Sequence, residues 1–145
     1  QGDNADFSII LKPYHGVRVF LNDGKNNFSQ SWFYPMHGAS EVKAVDFDGD
    51  GDMDIAAISF FPNFNKEVQS SFIYFQNTGK EFKPHTIPLA NSGRWLVMDA
   101  NDIDHDGDKD LLLGALNFKP LVPDSLFDDW NKEGATVLIL RNKRN

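Results

Sequence analysis

An all-β fold built from a repeated four-stranded antiparallel sheet is what this sequence predicts, on three observations. The chain repeats itself with a period of 55 to 56 residues, and a fixed period of that length marks one structural unit used again. Each repeat carries strand patterning, with alternating stretches before and after a short apolar β-rich run. The reversals between these stretches are Asn/Gly turns.

In chain order, Val17-Arg-Val-Phe-Leu-Asn-Asp-Gly24, followed by Phe28, corresponds to Phe72-Ile-Tyr-Phe-Gln-Asn-Thr-Gly79, followed by Phe82. Both read as a hairpin strand entering a tight turn, because Asn and Gly tolerate the positive φ that such reversals demand. A partial third copy runs from Thr136 to Asn142. Val42 and Ala44 precede a first acidic loop, and Met98 and Ala100 hold the same places before a second; the apolar runs Ile55 to Phe61 and Leu111 to Leu116 follow the two loops. The connections after those runs, Pro62 to Ser70 and Asn117 to Gly134, are the variable part of the repeat. In the longer one, Pro123-Asp124-Ser125 leads into Leu126-Phe127-Asp128-Asp129-Trp130, and Gly134 follows. Cap residues, early acids and a terminal glycine predict one short helix near 125–132. The phenylalanines Phe20, Phe28, Phe72, Phe75 and Phe82 sit at equivalent or alternating strand positions and are expected to pack between sheets.

The acidic loops carry the chemistry. Asp46-Phe-Asp-Gly-Asp-Gly-Asp-Met-Asp54 superposes on Asp102-Ile-Asp-His-Asp-Gly-Asp-Lys-Asp110 at an offset of 56 residues. Five carboxylates within nine residues repel one another, and a cation relieves that repulsion. With Asp46 as position 1, Asp48 and Asp50 stand at 3 and 5, Gly51 supplies a sharp turn at 6, Asp52 offers its carbonyl at 7 and Asp54 closes at 9. The second loop repeats this with Asp102, Asp104, Asp106, Gly107, Asp108 and Asp110. An all-oxygen set of this size suits calcium better than magnesium, which keeps octahedral waters, or zinc, which prefers nitrogen and sulfur. The plainer reading, Asp-Gly runs forming solvated turns, leaves the duplication unexplained. The first six positions also match an EF-hand, but that loop needs a glutamate at position 12, where this chain has Ala57 and Leu113, and helices on both sides. The side chains of Asp52, Asp108 and His105 are expected to face solvent.

Composition narrows the function classes. The chain has 145 residues, 41% of them apolar, enough for a core. Its net charge is -7, yet the two loops hold 10 of the 21 acids, which leaves 11 acids elsewhere against 14 Lys and Arg. The acidity is therefore local, and no Lys/Arg cluster points to nucleic acid. The longest apolar run is far too short to cross a bilayer of about 30 Å. No signal peptide is recognisable, so any export signal lies upstream or has been removed. The absence of cysteine excludes disulfides and thiolate chemistry.

At the acidic loops the sequence resembles the calcium-binding repeats of the FG-GAP and VCBS families, which are similar to blades of integrin α-subunit β-propellers. Asp102 to Asp110 resembles the family's Asp-x-Asp-x-Asp-Gly-x-x-Asp loop, and Asp110-Leu-Leu-Leu-Gly-Ala-Leu116 resembles its strand ending in Gly-Ala-Pro. The resemblance implies two calcium ions, held by both sets of alternate aspartates. It also implies a β-propeller fragment: a partial blade over 1–36, one complete blade over 37–90 and a partial last blade over 91–145. Since a closed propeller takes about 4 to 8 blades, the remaining blades are expected from the same or another chain. Gly2 to Asp6 reads as part of a long loop. An extracellular, cell-surface or periplasmic location is implied as well.

No Gly-x-Ser-x-Gly, P-loop or dinucleotide fingerprint occurs, and the four histidines are not spaced as a set. Tyr14-His15-Gly16, Arg94-Trp95 and His85 are lone polar candidates that read as packing or turn structure. Three functions stay open: a non-catalytic segment that binds a protein or glycan, part of a calcium-dependent lyase or hydrolase with its active site elsewhere, and a purely structural repeat. The sequon Asn27-Phe28-Ser29 overlaps a hairpin whose phenylalanine is expected in the core.

Overall fold

Alternation of apolar and polar residues becomes alternation of faces once strands pair. The computed structural model describes residues 13–64 and 70–143; the Gly2 to Asp6 segment lies outside them. Three antiparallel sheets follow one another along the chain. The first pairs β1 (Gly16–Asn22) with β2 (Phe28–Pro35). The second has the order β3 (Ala39–Val45), β4 (Asp54–Ser59), β5 (Phe72–Asn77), β6 (Phe82–His85), and the third the order β7 (Trp95–Asn101), β8 (Asp110–Ala115), β9 (Val137–Leu140). Among the described residues the fold is thus all-β, with one short helix, α1 (Asp124–Glu133), inserted between β8 and β9.

The repeat is preserved down to irregularities. The register slips between Ala39 and Glu41 in the second sheet and between Trp95 and Val97 in the third, at the same place in the repeat. The hairpin turns put Gly24 and Gly79 at φ of 79° and 71°, the left-handed region that their Asn/Gly sequences predict.

Packing follows from the central position of the second sheet. All six residues of β4 are buried, which is why Ile55 to Ile58 run apolar without alternation. One face, with Ile55, Ala57, Ile73 and Phe75, packs on the first sheet through Val17 and Met36, and the Trp32 and Tyr34 rings meet Phe75 at 5.1 and 4.8 Å. The other face, with Ala56, Ile58 and Phe72, packs on Trp95, Met98, Leu111 and Leu113 of the third sheet. Glu41 and Lys43 tie these two sheets together. The Met98 amide donates to Glu41 Oε2 at 2.8 Å, while Lys43 bridges Glu41 and Asp99 at 3.2 and 3.4 Å.

Two expectations are corrected. Phe72 and Phe75 are buried and Phe82 is half-buried, but Phe20 and Phe28 are 51% and 64% exposed. Among the described residues the first sheet is a two-stranded ribbon, and Phe28 of the sequon is exposed rather than in the core. Helix α1 forms without its expected side-chain cap: Pro123 precedes it, and the closing Gly134 is extended rather than left-handed. Gly134 is needed for space, since a Cβ there would lie within 2.4 Å of the Trp130 carbonyl oxygen.

Candidate metal centres

The nine-residue loops join β3 to β4 and β7 to β8, so each is a hairpin connection closed by strand pairing, Val45 with Asp54 and Asn101 with Asp110. Short polar side chains fold each loop onto its own backbone. Asp46 accepts hydrogen bonds from the Gly49 and Gly51 amides at 2.7 and 3.1 Å. Asp102 does the same for Asp106 and Gly107 at 3.2 and 3.1 Å. The amides of Asp52 and Asp108 donate to Asp50 and Asp106 at 2.8 and 2.9 Å. Both loops turn left-handed at positions 4 and 6: Gly49 and Gly51 at φ of 78° and 95°, His105 and Gly107 at 64° and 94°. A glycine takes that conformation freely, whereas His105 carries its strain.

This backbone brings three carboxylates of each loop together. Oxygens of Asp46, Asp48 and Asp50 all lie within 4.8 Å of one another, and so do those of Asp102, Asp104 and Asp106. Asp52 and His105 are exposed and Asp108 is half-buried. Asp54 and Asp110, read from the sequence with the other aspartates, stand under the loops and are 0% and 1% exposed. Asp54 Oδ2 accepts from the Phe47 amide at 3.0 Å and the Tyr74 hydroxyl at 2.8 Å, and its Oδ1 accepts from the Asn77 amide at 2.7 Å. Asp110 repeats the pattern, with the Ile103 amide on Oδ2 at 2.9 Å and the Asn142 amide on Oδ1 at 2.8 Å. These amides hold the Asp110 carboxyl below the ordinary carboxylate value. Burial, then the bond to Asp54, pushes the Tyr74 hydroxyl well above the ordinary tyrosine value.

The donor chemistry fits a hard dication. Oxygens placed about 2.4 Å from one ion are at most about 4.8 Å apart, and those of both triads lie within 4.8 Å of one another. Among the described residues the one cation paired with either triad is Arg141, whose Nη1 is 3.6 Å from Asp104 Oδ2. At the equivalent place in the first loop a neutral amide, Gln76 Nε2, donates to Asp48 Oδ2 at 2.8 Å.

Sequence reasoning missed Tyr74, Gln76, Asn77, Arg141 and Asn142 as supports of the loops. The signal lay in the repeat itself, where Asn77 and Asn142 close equivalent strands. Of the lone polar candidates, His85 stacks on Tyr74 at 5.9 Å, and Tyr14 meets His15 edge-on at 5.2 Å. Arg94 is 1% exposed, surrounded by Phe60, Phe61, Phe64 and Phe118 at 5.2–5.8 Å. Phe64 and Phe118 of the two insertions thus pack around a guanidinium, while Trp130 meets Phe64 and Phe127. None of the described helices is long and apolar enough to cross a membrane.

Residues 4–57 match the family model of an FG-GAP-like repeat, which includes the whole first loop and ends before the second. Comparison with curated proteins and with solved structures gives no match.

Proposed function

We propose that this chain, which carries an FG-GAP-like repeat over residues 4–57, is a calcium-binding module of a larger array of stacked sheets. In this reading it works outside the cytoplasm as a non-catalytic scaffold or as a surface for a protein or glycan. One observation carries the calcium reading: two loops 56 residues apart fold the aspartates at positions 1, 3 and 5 into the same triad of oxygens. Calcium bound there would neutralise the triads and fasten β3 to β4 and β7 to β8. At about 5 Å two like charges repel by ~1 kcal/mol in water and by several times more beside protein, so the loops gain from an ion of the right size and hardness. Extracellular calcium modules bind at about 10⁻⁴–10⁻³ M, which agrees with a site built from exposed and half-buried aspartates.

The array follows from an unfinished stacking pattern. Ala56 and Phe72 of the second sheet pack on the third. Their equivalents in the third sheet, Leu112 and Val137, are exposed together with Val97 and Ile139. A further sheet laid on that face would repeat the contact, as successive blades of a propeller do. The test is calorimetric titration of the chelator-treated chain with calcium. Uptake of two ions with a rise in melting temperature is expected; no uptake, or uptake of magnesium with equal affinity, would overturn the calcium reading.

A further inference from the structure

We infer that the two loops differ in calcium affinity, and that Arg141, seated against the triad residue Asp104, makes the second loop the weaker. The inference rests on the calcium reading above and adds to it an order of filling.

The difference lies at equivalent places. Asn77 and Asn142 close β5 and β9 by donating to Asp54 and Asp110, so the residues just before them, Gln76 and Arg141, face the same part of each loop. Gln76 orients Asp48 with a neutral amide at 2.8 Å. Arg141 sets a full positive charge 3.6 Å from Asp104. The loops themselves differ in the same direction, since Met53 and Gly49 of the first are replaced by Lys109 and His105 in the second. Both loops hold five aspartates, but with Lys109 and Arg141 counted the second has a formal charge of -3 against -5 for the first.

A half-exposed ion pair at this distance adds little to folding, yet its charge acts on any cation that enters. Calcium arriving at the second triad must work against Arg141 and Lys109 and must compete for Asp104. One unit charge at about 7 Å from a dication, screened by roughly 0.15 M salt, lowers affinity by about two- to threefold. The effect shrinks as salt rises. Arg141 is thus a positioning residue that tunes a neighbouring ligand, in a way the acidic motif alone does not record.

Titration of the intact chain at low salt should resolve a tighter and a weaker class of calcium. Asp50→Asn should remove the tighter class and Asp106→Asn the weaker. Arg141→Gln should tighten the weaker class by about two- to threefold, Arg141→Lys should leave it weak, and Gln76→Arg should weaken the tighter class. Circular dichroism of each variant in chelator checks that the fold is retained. Two equal affinities, with Arg141→Gln and Gln76→Arg both silent, would overturn this inference and leave the calcium reading intact. Absence of any calcium uptake by the native chain would overturn both.

Discussion

Replacing Asp54 by alanine should destabilise the chain whether or not calcium is present, and the structure sets the size of the loss. The carboxylate is fully buried and receives three donors, the amides of Phe47 and Asn77 and the hydroxyl of Tyr74. Each donor left without a partner costs about 1–3 kcal/mol. The Phe47 amide is buried, while the other two bonds are partly accessible and can recover some water. A total of about 3–5 kcal/mol follows, a large share of the ~5–15 kcal/mol that stabilises a typical domain. At ~2–4 °C per kcal/mol the melting temperature should fall by about 6–20 °C. Asp50→Ala is the matched control, since Asp50 is exposed and, among the described residues, accepts only from the Asp52 amide of its own loop. In chelator that change should stay within about 0.5 kcal/mol of the native chain, and it should lose stability only when calcium is added. Thermal melts of both variants, with millimolar calcium and with chelator, separate a calcium-independent contribution from a calcium-dependent one. An Asp54→Ala midpoint in chelator equal to that of the native chain would refute the clamp.

Arg94→Met should change stability by no more than about 1 kcal/mol, because the ring contacts and the bond to the Pro120 carbonyl at 2.6 Å are offset by relief of a buried charge whose Nε and Nη1 lack partners. Burial pulls this guanidinium down to about 10, so it is charged at neutral pH; a urea-midpoint loss above about 3 kcal/mol for the methionine variant would show that the charge itself is required. Alkali should act through Tyr74. The unfolded chain releases this proton near pH 10 while the folded chain keeps it, so the folded state binds more protons and stability falls as pH rises above about 10. In chelator, the drop in urea midpoint between about pH 8 and pH 11 should be smaller for Tyr74→Phe than for the native chain, and equal drops would refute this linkage.

The sheets were legible in the sequence because their determinants are local. Asn22 to Gly24 and Asn77 to Gly79 specify their reversals within a few residues, and the apolar run from Ile55 records burial on both faces. The triads were legible for the same reason, as alternate aspartates on one short loop have few ways to fold. The different standing of Asp54 and Asp110 was not legible, because the donors that claim them come from Tyr74, Asn77 and Asn142, 20 to 32 residues away. A carboxylate at position 9 does not show on paper which distant amides it accepts from. Phe20 and Phe28 were misplaced because periodicity assigns a face to a side chain without showing that anything covers that face. Arg94 stayed a lone polar residue until the loops carrying Phe60 and Phe118 were brought around it.

The clamp gives the triads their meaning. An acidic loop left to itself would spread its charges apart, and an ion would have to draw them together at the cost of ordering the chain. Here Asp54 and Asp110 anchor each loop to the strand that follows it in the sheet by bonds that need no ion. The repulsion within each triad is therefore held in the folded state and is available to be relieved on binding. Asn142 extends the same bracing between sheets, since its side-chain amide donates to the Phe47 carbonyl of the first loop while its backbone amide holds Asp110 beneath the second. An ion that favours the folded loop at a hundred times its dissociation constant stabilises the fold by about 2.7 kcal/mol. Because the first loop is braced from the third sheet as well as its own, that stabilisation acts on the stacking of sheets and not on one hairpin alone.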